Sequence, residues 1–62
     1  MMNDLVSLRI NAHRTNLQRY RRLLTTELTD VERAYLRRRI AEEQAALTDV
    51  IAARSQGNSN FG

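Results

Sequence analysis

The chain has 62 residues and a net charge of +3, with 42% hydrophobic residues, 27% charged residues, no cysteine and no proline. This length allows at most one small domain. The absence of cysteine excludes disulfides and thiolate metal sites, and a single histidine excludes a multi-histidine metal site within one chain. The composition is too apolar for a disordered chain, and no apolar run reaches the ~18 residues of a membrane span. Because the first residues lack the basic segment of a secretory signal, we expect a cytoplasmic protein with no membrane partner.

A first helix is predicted over about residues 3–26. Its apolar positions recur in alternating steps of four and three, which is the heptad spacing of a helix that packs along one seam. These positions are Val6, Ile10, His13, Leu17, Tyr20 and Leu24. Further leucines on either side widen the stripe, and a wide stripe favours packing against more than one neighbour.

A break between two helices is predicted at residues 25–30, which include three threonines. Thr29 and Glu32 have the spacing of a capping box, in which each side chain accepts a hydrogen bond from the other residue's backbone N–H. Asp30 adds negative charge to the first helical turn, where the helix dipole favours it. We expect a second helix over about residues 30–54. The alternative is one unbroken helix of about 50 residues, since threonine only weakens a helix.

The seam of the second helix is predicted from Leu36, Ile40 and Leu47, followed by Val50 or Ile51. Residues 55–62 are polar, contain both glycines and show no periodicity. The sequence therefore predicts a helical hairpin over residues 1–54 and a disordered polar tail over 55–62.

An all-α antiparallel hairpin follows if the chain turns at about residue 28, because the apolar layers of the two helices then match. Two helices bury too little apolar surface to offset the conformational entropy of ordering this chain. We therefore expect two copies to form a four-helix bundle with coiled-coil packing. The predicted oligomer seam consists of Val6, Ile10, Leu17, Tyr20, Leu24, Leu36, Ile40, Leu47 and Ile51. A partner protein that covers the same stripe is the alternative.

A polar core layer is predicted where His13 interrupts the first seam. In the antiparallel register, His13 lies opposite residues 42–44, where Glu43 and Gln44 interrupt the second seam. Such a layer fixes register and oligomeric state at some cost in stability. The alternatives are a solvated histidine at the rim, a pH-sensitive interface, and a metal site that two subunits share through His13 and Glu43.

Arginine supplies all ten basic residues, and eight of the ten arginines lie between residues 14 and 39. The predicted interaction surface, called the arginine face, consists of Arg14, Arg19, Arg21, Arg22, Arg33, Arg37 and Arg38. Arginine binds carboxylates and phosphates through two parallel hydrogen bonds, which lysine cannot do. The alternatives are a solvated surface whose arginines pair with glutamates across the bundle, and codon usage in a GC-rich genome.

Catalysis is not expected from this sequence. It offers no cysteine nucleophile, no serine at helical spacing from the histidine and no glycine-rich phosphate loop. We therefore expect no cofactor and no resident metal. The predicted function is a small non-catalytic interaction module, an adaptor or regulator, that acts as a homo-oligomeric helical bundle with an arginine-rich outer face. Its expected partner is a second copy of itself, and an acidic protein surface is a candidate partner for the arginine face. The alternatives are an RNA- or DNA-binding regulator and a structural subunit that folds on a larger partner.

Two segments carry a resemblance to known proteins. Leu28–Glu43 (LTDVERAYLRRRIAEE) and His13–Leu24 (HRTNLQRYRRLL) resemble short uncharacterised helical proteins of GC-rich alphaproteobacteria such as rhizobial relatives. This resemblance implies no activity. In size and plan the chain is also similar to the plasmid copy-number regulator Rop, a dimeric helical hairpin that binds RNA. That similarity implies an architecture and not a function, and the cysteine and lysine positions of Rop are missing here.

Overall fold

A computed structural model of the chain shows helix α1 over Met2–Leu23 and helix α2 over Asp30–Ser59, packed against each other as a hairpin. The structure describes the backbone of residues 2–59 and the side chains of residues 5–54. Within that backbone there is no strand, and neither helix is long and apolar enough to cross a membrane. The predicted all-α hairpin is confirmed and the alternative of one unbroken helix is wrong. The four-helix bundle stays a prediction, since the structure contains one chain.

Helix α1 ends at Leu23, three residues before the predicted end. Two threonines bind the last carbonyls of this helix. The backbone N–H of Thr25 donates a hydrogen bond to the Arg22 carbonyl at 3.1 Å, and the backbone N–H of Thr26 donates one to the Leu23 carbonyl at 3.0 Å. The hydroxyl of each threonine donates to the same carbonyl at 2.6 Å. These hydrogen bonds reach back three residues instead of four, so they tighten the last turn. They also satisfy carbonyls that would otherwise lack a partner, and the α-helix stops there.

Helix α2 begins at Asp30 because Thr29 caps it. The Thr29 backbone N–H donates to Glu32 Oε1 at 2.8 Å, and the Glu32 N–H donates to Thr29 Oγ1 at 3.1 Å. The predicted capping box is therefore confirmed. The bond from the Thr29 backbone, aided by the Thr29 side chain, holds the pKa of Glu32 below its usual value.

Helix α2 ends at Ser59, five residues beyond the predicted end at Arg54. The segment 55–59 is helical and not disordered as predicted. It contains no proline, and Gly57 costs a helix only about 1 kcal/mol, so nothing in this segment breaks the backbone hydrogen-bond ladder. The rest of the predicted tail, residues 60–62, lies outside the described residues.

The core is a narrow seam between α1 and α2. Its buried apolar side chains are Ile10, Leu17 and Leu36, and its half-buried ones are Val6, Tyr20, Leu24, Ile40, Leu47 and Val50. Side chains assigned to an oligomer seam therefore pack within one chain. Ile51 does not take part in this seam, since it is 36% exposed. Successive residues are about 100° apart on a helix, so only one of Val50 and Ile51 can face α1, and it is Val50.

Candidate binding surfaces

His13 and Glu43 meet in the middle of the hairpin at the register that a turn near residue 28 predicts. His13 Nδ1 lies 2.7 Å from Glu43 Oε1, and 21% and 11% of the two side chains are exposed. The hydrogen bond from His13, with smaller contributions from Asn16 and Arg39, holds the pKa of Glu43 below its usual value. An ionised carboxylate only accepts hydrogen bonds, so His13 Nδ1 carries the proton.

Arg39 joins this polar layer, although the sequence analysis did not include it among the site residues. Its Nη1 donates to Glu42 Oε1 at 2.7 Å, and its Nη2 lies 3.6 Å from Glu43 Oε2. Nη2 also donates to the Tyr20 hydroxyl at 3.4 Å, and the guanidinium lies 5.7 Å from the centre of the Tyr20 ring. The Tyr20 hydrogen bond is the largest cause that raises the pKa of Arg39 further above its usual range. The signal in the sequence was the i, i+3 and i, i+4 spacing of Arg39 from two glutamates.

Gln44 was predicted in the polar layer, but it is exposed. It follows Glu43 by one residue and so lies about 100° further around α2. Among the residues that the structure describes, no hydrogen bond joins Gln44 to His13. In the same part of the chain, no group of three His, Cys, Asp or Glu side chains is placed to hold a metal ion.

One side of the hairpin carries a groove of about 710 Å³ between α1 and α2. We call it the arginine groove, and it is lined by Arg14, Leu17, Gln18, Arg21, Gln44, Leu47 and Thr48. The two arginines are exposed, whereas Leu17 is buried and Leu47 is half-buried. The groove therefore has cationic and polar walls over an apolar floor.

The other members of the arginine face lie outside this groove. Arg19, Arg22, Arg37 and Arg38 are exposed. Arg33 is half-buried, and its Nη1 donates a hydrogen bond to the Leu24 carbonyl at 3.3 Å. This bond ties the start of the loop between the two helices to α2. Among the described side chains, none of the seven arginines has a carboxylate within 4.0 Å. The alternative that they pair with glutamates across a bundle of two copies stays a prediction, since the structure contains one chain.

An apolar groove of about 480 Å³ lies at the turn end of the hairpin. Its lining residues are Leu23, Leu28, Val31, Glu32, Tyr35 and Leu36. Val31 is 79% exposed and Tyr35 is 58% exposed, which is unusual for large apolar side chains that lie next to one another. This patch is therefore a second candidate binding surface.

The apolar groove and the arginine groove lie on opposite sides of the hairpin. Arg21 and Leu23 are two residues apart, about 200° around α1, and Tyr35 and Gln44 are nine residues apart, about 180° around α2. One groove can therefore be occupied without covering the other.

The chain matches no protein-family model, and no curated protein or solved structure is similar to it. The resemblances to short alphaproteobacterial proteins and to Rop stay predictions. A proposal about function therefore depends on the chemistry of the two surfaces.

Proposed function

We propose that the protein is a small cytoplasmic, non-catalytic interaction module, an adaptor or regulator, that forms a homodimer and binds an acidic protein surface through its arginine face. The observation that carries this proposal is the absence of a carboxylate within 4.0 Å of all seven arginines, among the side chains that the structure describes. Six of the seven are exposed, and their guanidinium donors are available for carboxylates of another molecule, whereas Arg33 is half-buried and donates to the Leu24 carbonyl.

The distribution of acidic residues strengthens this argument. Arg39, which is not part of the arginine face, binds Glu42 and approaches Glu43. These two carboxylates are thereby occupied on one side of α2, and α1 has no acid between Asp4 and Glu27. The charge of the arginine face is therefore not neutralised by its own helices.

The exposed apolar surface supports the homodimer. Near the open end of the hairpin, Leu5 is 67% exposed and Leu8 is 63% exposed, and the apolar groove lies at the turn end. A second copy seated on the apolar groove covers surface that one hairpin leaves in water, while the arginine groove on the opposite side stays free.

An RNA- or DNA-binding regulator is the second candidate function. The same unpaired arginines favour it, because phosphate oxygens accept the hydrogen bonds that carboxylates accept. Affinity of this kind falls steeply as salt rises, because bound phosphates release counterions. Because salt also screens pairs between arginine and carboxylates, the relative affinity for each class of probe at physiological salt separates the two functions.

The test is a fluorescence-anisotropy titration of the full chain with three probes: a poly-glutamate peptide, mixed-sequence RNA and mixed-sequence duplex DNA. We expect the acidic peptide to bind more tightly than either nucleic acid at physiological salt. The variant Arg14→Gln/Arg19→Gln/Arg21→Gln/Arg22→Gln should lose that binding while it keeps its helix content by circular dichroism. Tighter, steeply salt-dependent binding of RNA or DNA would favour the second candidate, and no binding of any probe would reject the arginine face as a binding surface.

A further inference from the structure

The arginine groove has the shape of a binding site for a helix. It is an open groove between two helices, with Leu17 and Leu47 as its floor and with Arg14 and Arg21 along one wall. A ligand that fits must be convex, must carry an apolar group for the floor and must carry anionic groups for the wall. An amphipathic helix laid into a groove combines these three properties.

The charge of the groove has no counterpart among its own lining residues. No Asp or Glu lines it, and neither Arg14 nor Arg21 has a carboxylate within 4.0 Å among the described side chains. Its remaining polar groups are two glutamine amides and one threonine hydroxyl. The groove is therefore complementary to a ligand that brings carboxylates.

The spacing of the two arginines matches a helical ligand. Arg14 and Arg21 are seven residues apart, which is about 10.5 Å along α1. Two acidic residues seven apart on another helix repeat at the same distance and on the same face. An apolar residue midway between them then faces the floor of the groove.

Nucleic acid fits the groove less well. The major groove of DNA is about 12 Å wide and admits one helix, whereas the arginine groove is formed by two helices that lie side by side. Single strands bind by stacking bases on aromatic side chains, but Tyr20 is held against Arg39 and Tyr35 lies in the apolar groove on the opposite side. An apolar floor also favours a protein side chain over a phosphate.

We propose that the arginine groove binds one acidic amphipathic helix of a partner protein, with Arg14 and Arg21 each pairing with one carboxylate and the floor receiving the apolar residue between them. This inference rests on the proposed function and deepens it. It assigns recognition to two of the seven arginines of the arginine face, and it gives the partner's secondary structure and its acidic spacing.

The test uses a fluorescent synthetic helix and two matched variants of the full chain. The probe is a peptide of about 20 residues, long enough to be helical, with two glutamates seven apart and a leucine midway. A second peptide of the same composition places the two glutamates on opposite faces. Arg14→Gln/Arg21→Gln removes both arginines of the groove, and Arg19→Gln/Arg22→Gln removes the same charge from the same helix outside the groove.

We expect Arg14→Gln/Arg21→Gln to weaken binding of the first peptide by about tenfold, since two exposed ion pairs contribute up to about that factor. The matched variant should weaken it by about twofold at most, through long-range charge alone. The second peptide should bind the unaltered chain about threefold more weakly than the first, because only one of its two carboxylates can reach the groove.

Three outcomes would overturn the groove assignment. Equal losses of affinity in the two variants, or equal affinity of the two peptides, would mean that the whole arginine face attracts the acidic peptide without specific pairing in the groove. The proposed function would then stand, but the groove assignment would not. Tighter binding of mixed-sequence RNA than of either peptide, lost in Arg14→Gln/Arg21→Gln, would assign the groove to nucleic acid.

Reversing the charge of both groove arginines and of both peptide glutamates tests direct pairing. This test measures a gain of binding and so does not depend on observing a loss. The variant Arg14→Glu/Arg21→Glu should reject the first peptide and bind a version with lysine in place of both glutamates. Circular dichroism of the variant confirms that its helices form. A folded variant that binds neither version would contradict direct pairing at these two positions.

Discussion

The hydrogen bond between His13 and Glu43 makes the stability of the hairpin depend on pH. Folding lowers the pKa of Glu43 from its ordinary value of 4.5. The ionised carboxylate therefore stabilises the folded chain above that value, and this contribution is lost as the pH falls through the lowered pKa. We expect Glu43→Gln, which keeps an acceptor oxygen but cannot titrate, to lose less stability than the unaltered chain on acidification. Thermal unfolding by circular dichroism over the acid range, at one protein concentration, measures this difference.

Glu42→Gln is the matched control, since it removes one neighbouring negative charge without touching the bond to His13. Equal acid responses in Glu43→Gln and in the unaltered chain would contradict a role for this bond in stability. The contact was predictable because His13 and Glu43 both interrupt heptad seams, and a turn near residue 28 brings them to one level. The helical spacing of Arg39 from Glu42 and Glu43 was visible in the sequence, but its contact with Tyr20 was not predictable, because that contact depends on the rotamers of both side chains.

Among the elements, the start of α2 depends on one threonine. Thr29 supplies the cap and accepts the bond from the Glu32 N–H at 3.1 Å. Thr29→Ala should lower the free energy of unfolding by about 1 kcal/mol, as loss of an N-cap does. Thr15→Ala is the control, since Thr15 is exposed within α1 and alanine favours a helix there. Urea unfolding followed by circular dichroism compares the two variants, and equal midpoints would contradict the capping role.

The ends of the helices show how far local sequence determines them. The capping box was predictable because its two partners are three residues apart and its bonds are local. The end of α1 was not predictable, since threonine at residues 25 and 26 weakens a helix only slightly. The turn depends on the hydroxyls of these threonines, which donate hydrogen bonds to the carbonyls of Arg22 and Leu23. The end of α2 was misplaced because a polar composition indicates solvent exposure but does not by itself break a helix.

Taken as a whole, the hairpin places its apolar groove and its arginine groove on opposite sides. The narrow core leaves Val31 and Tyr35 exposed at the turn end, whereas Arg14 and Arg21 line the other side. A surface divided in this way allows self-association and partner binding at the same time. Periodicity predicted the seam, and the same 100° per residue places the two grooves on opposite sides, but it could not predict how far Val31 and Tyr35 are exposed.

The homodimer can be tested with one substitution in the apolar groove. We expect the chain to have about twice its 7.2 kDa mass by light scattering, and Val31→Glu to shift it to a monomer at the same concentration, because a charge buried in an apolar interface is costly. Val31 lies in the first turn of α2, where an acidic residue suits the helix dipole, so the helix itself should persist. Thr48→Glu is the control, since it adds the same charge on the opposite side, in the arginine groove, and should leave the dimer intact.

Helix content recorded on the same samples separates the ways in which this prediction can fail. A fully helical monomer at every concentration would mean that one hairpin is stable alone and that the apolar groove is not a dimer interface. A poorly helical monomer would mean that the chain orders only on a larger partner, as a structural subunit does, because ordering a chain without enough buried apolar surface is unfavourable. Val31→Glu would then weaken binding of that partner, whereas Thr48→Glu would not.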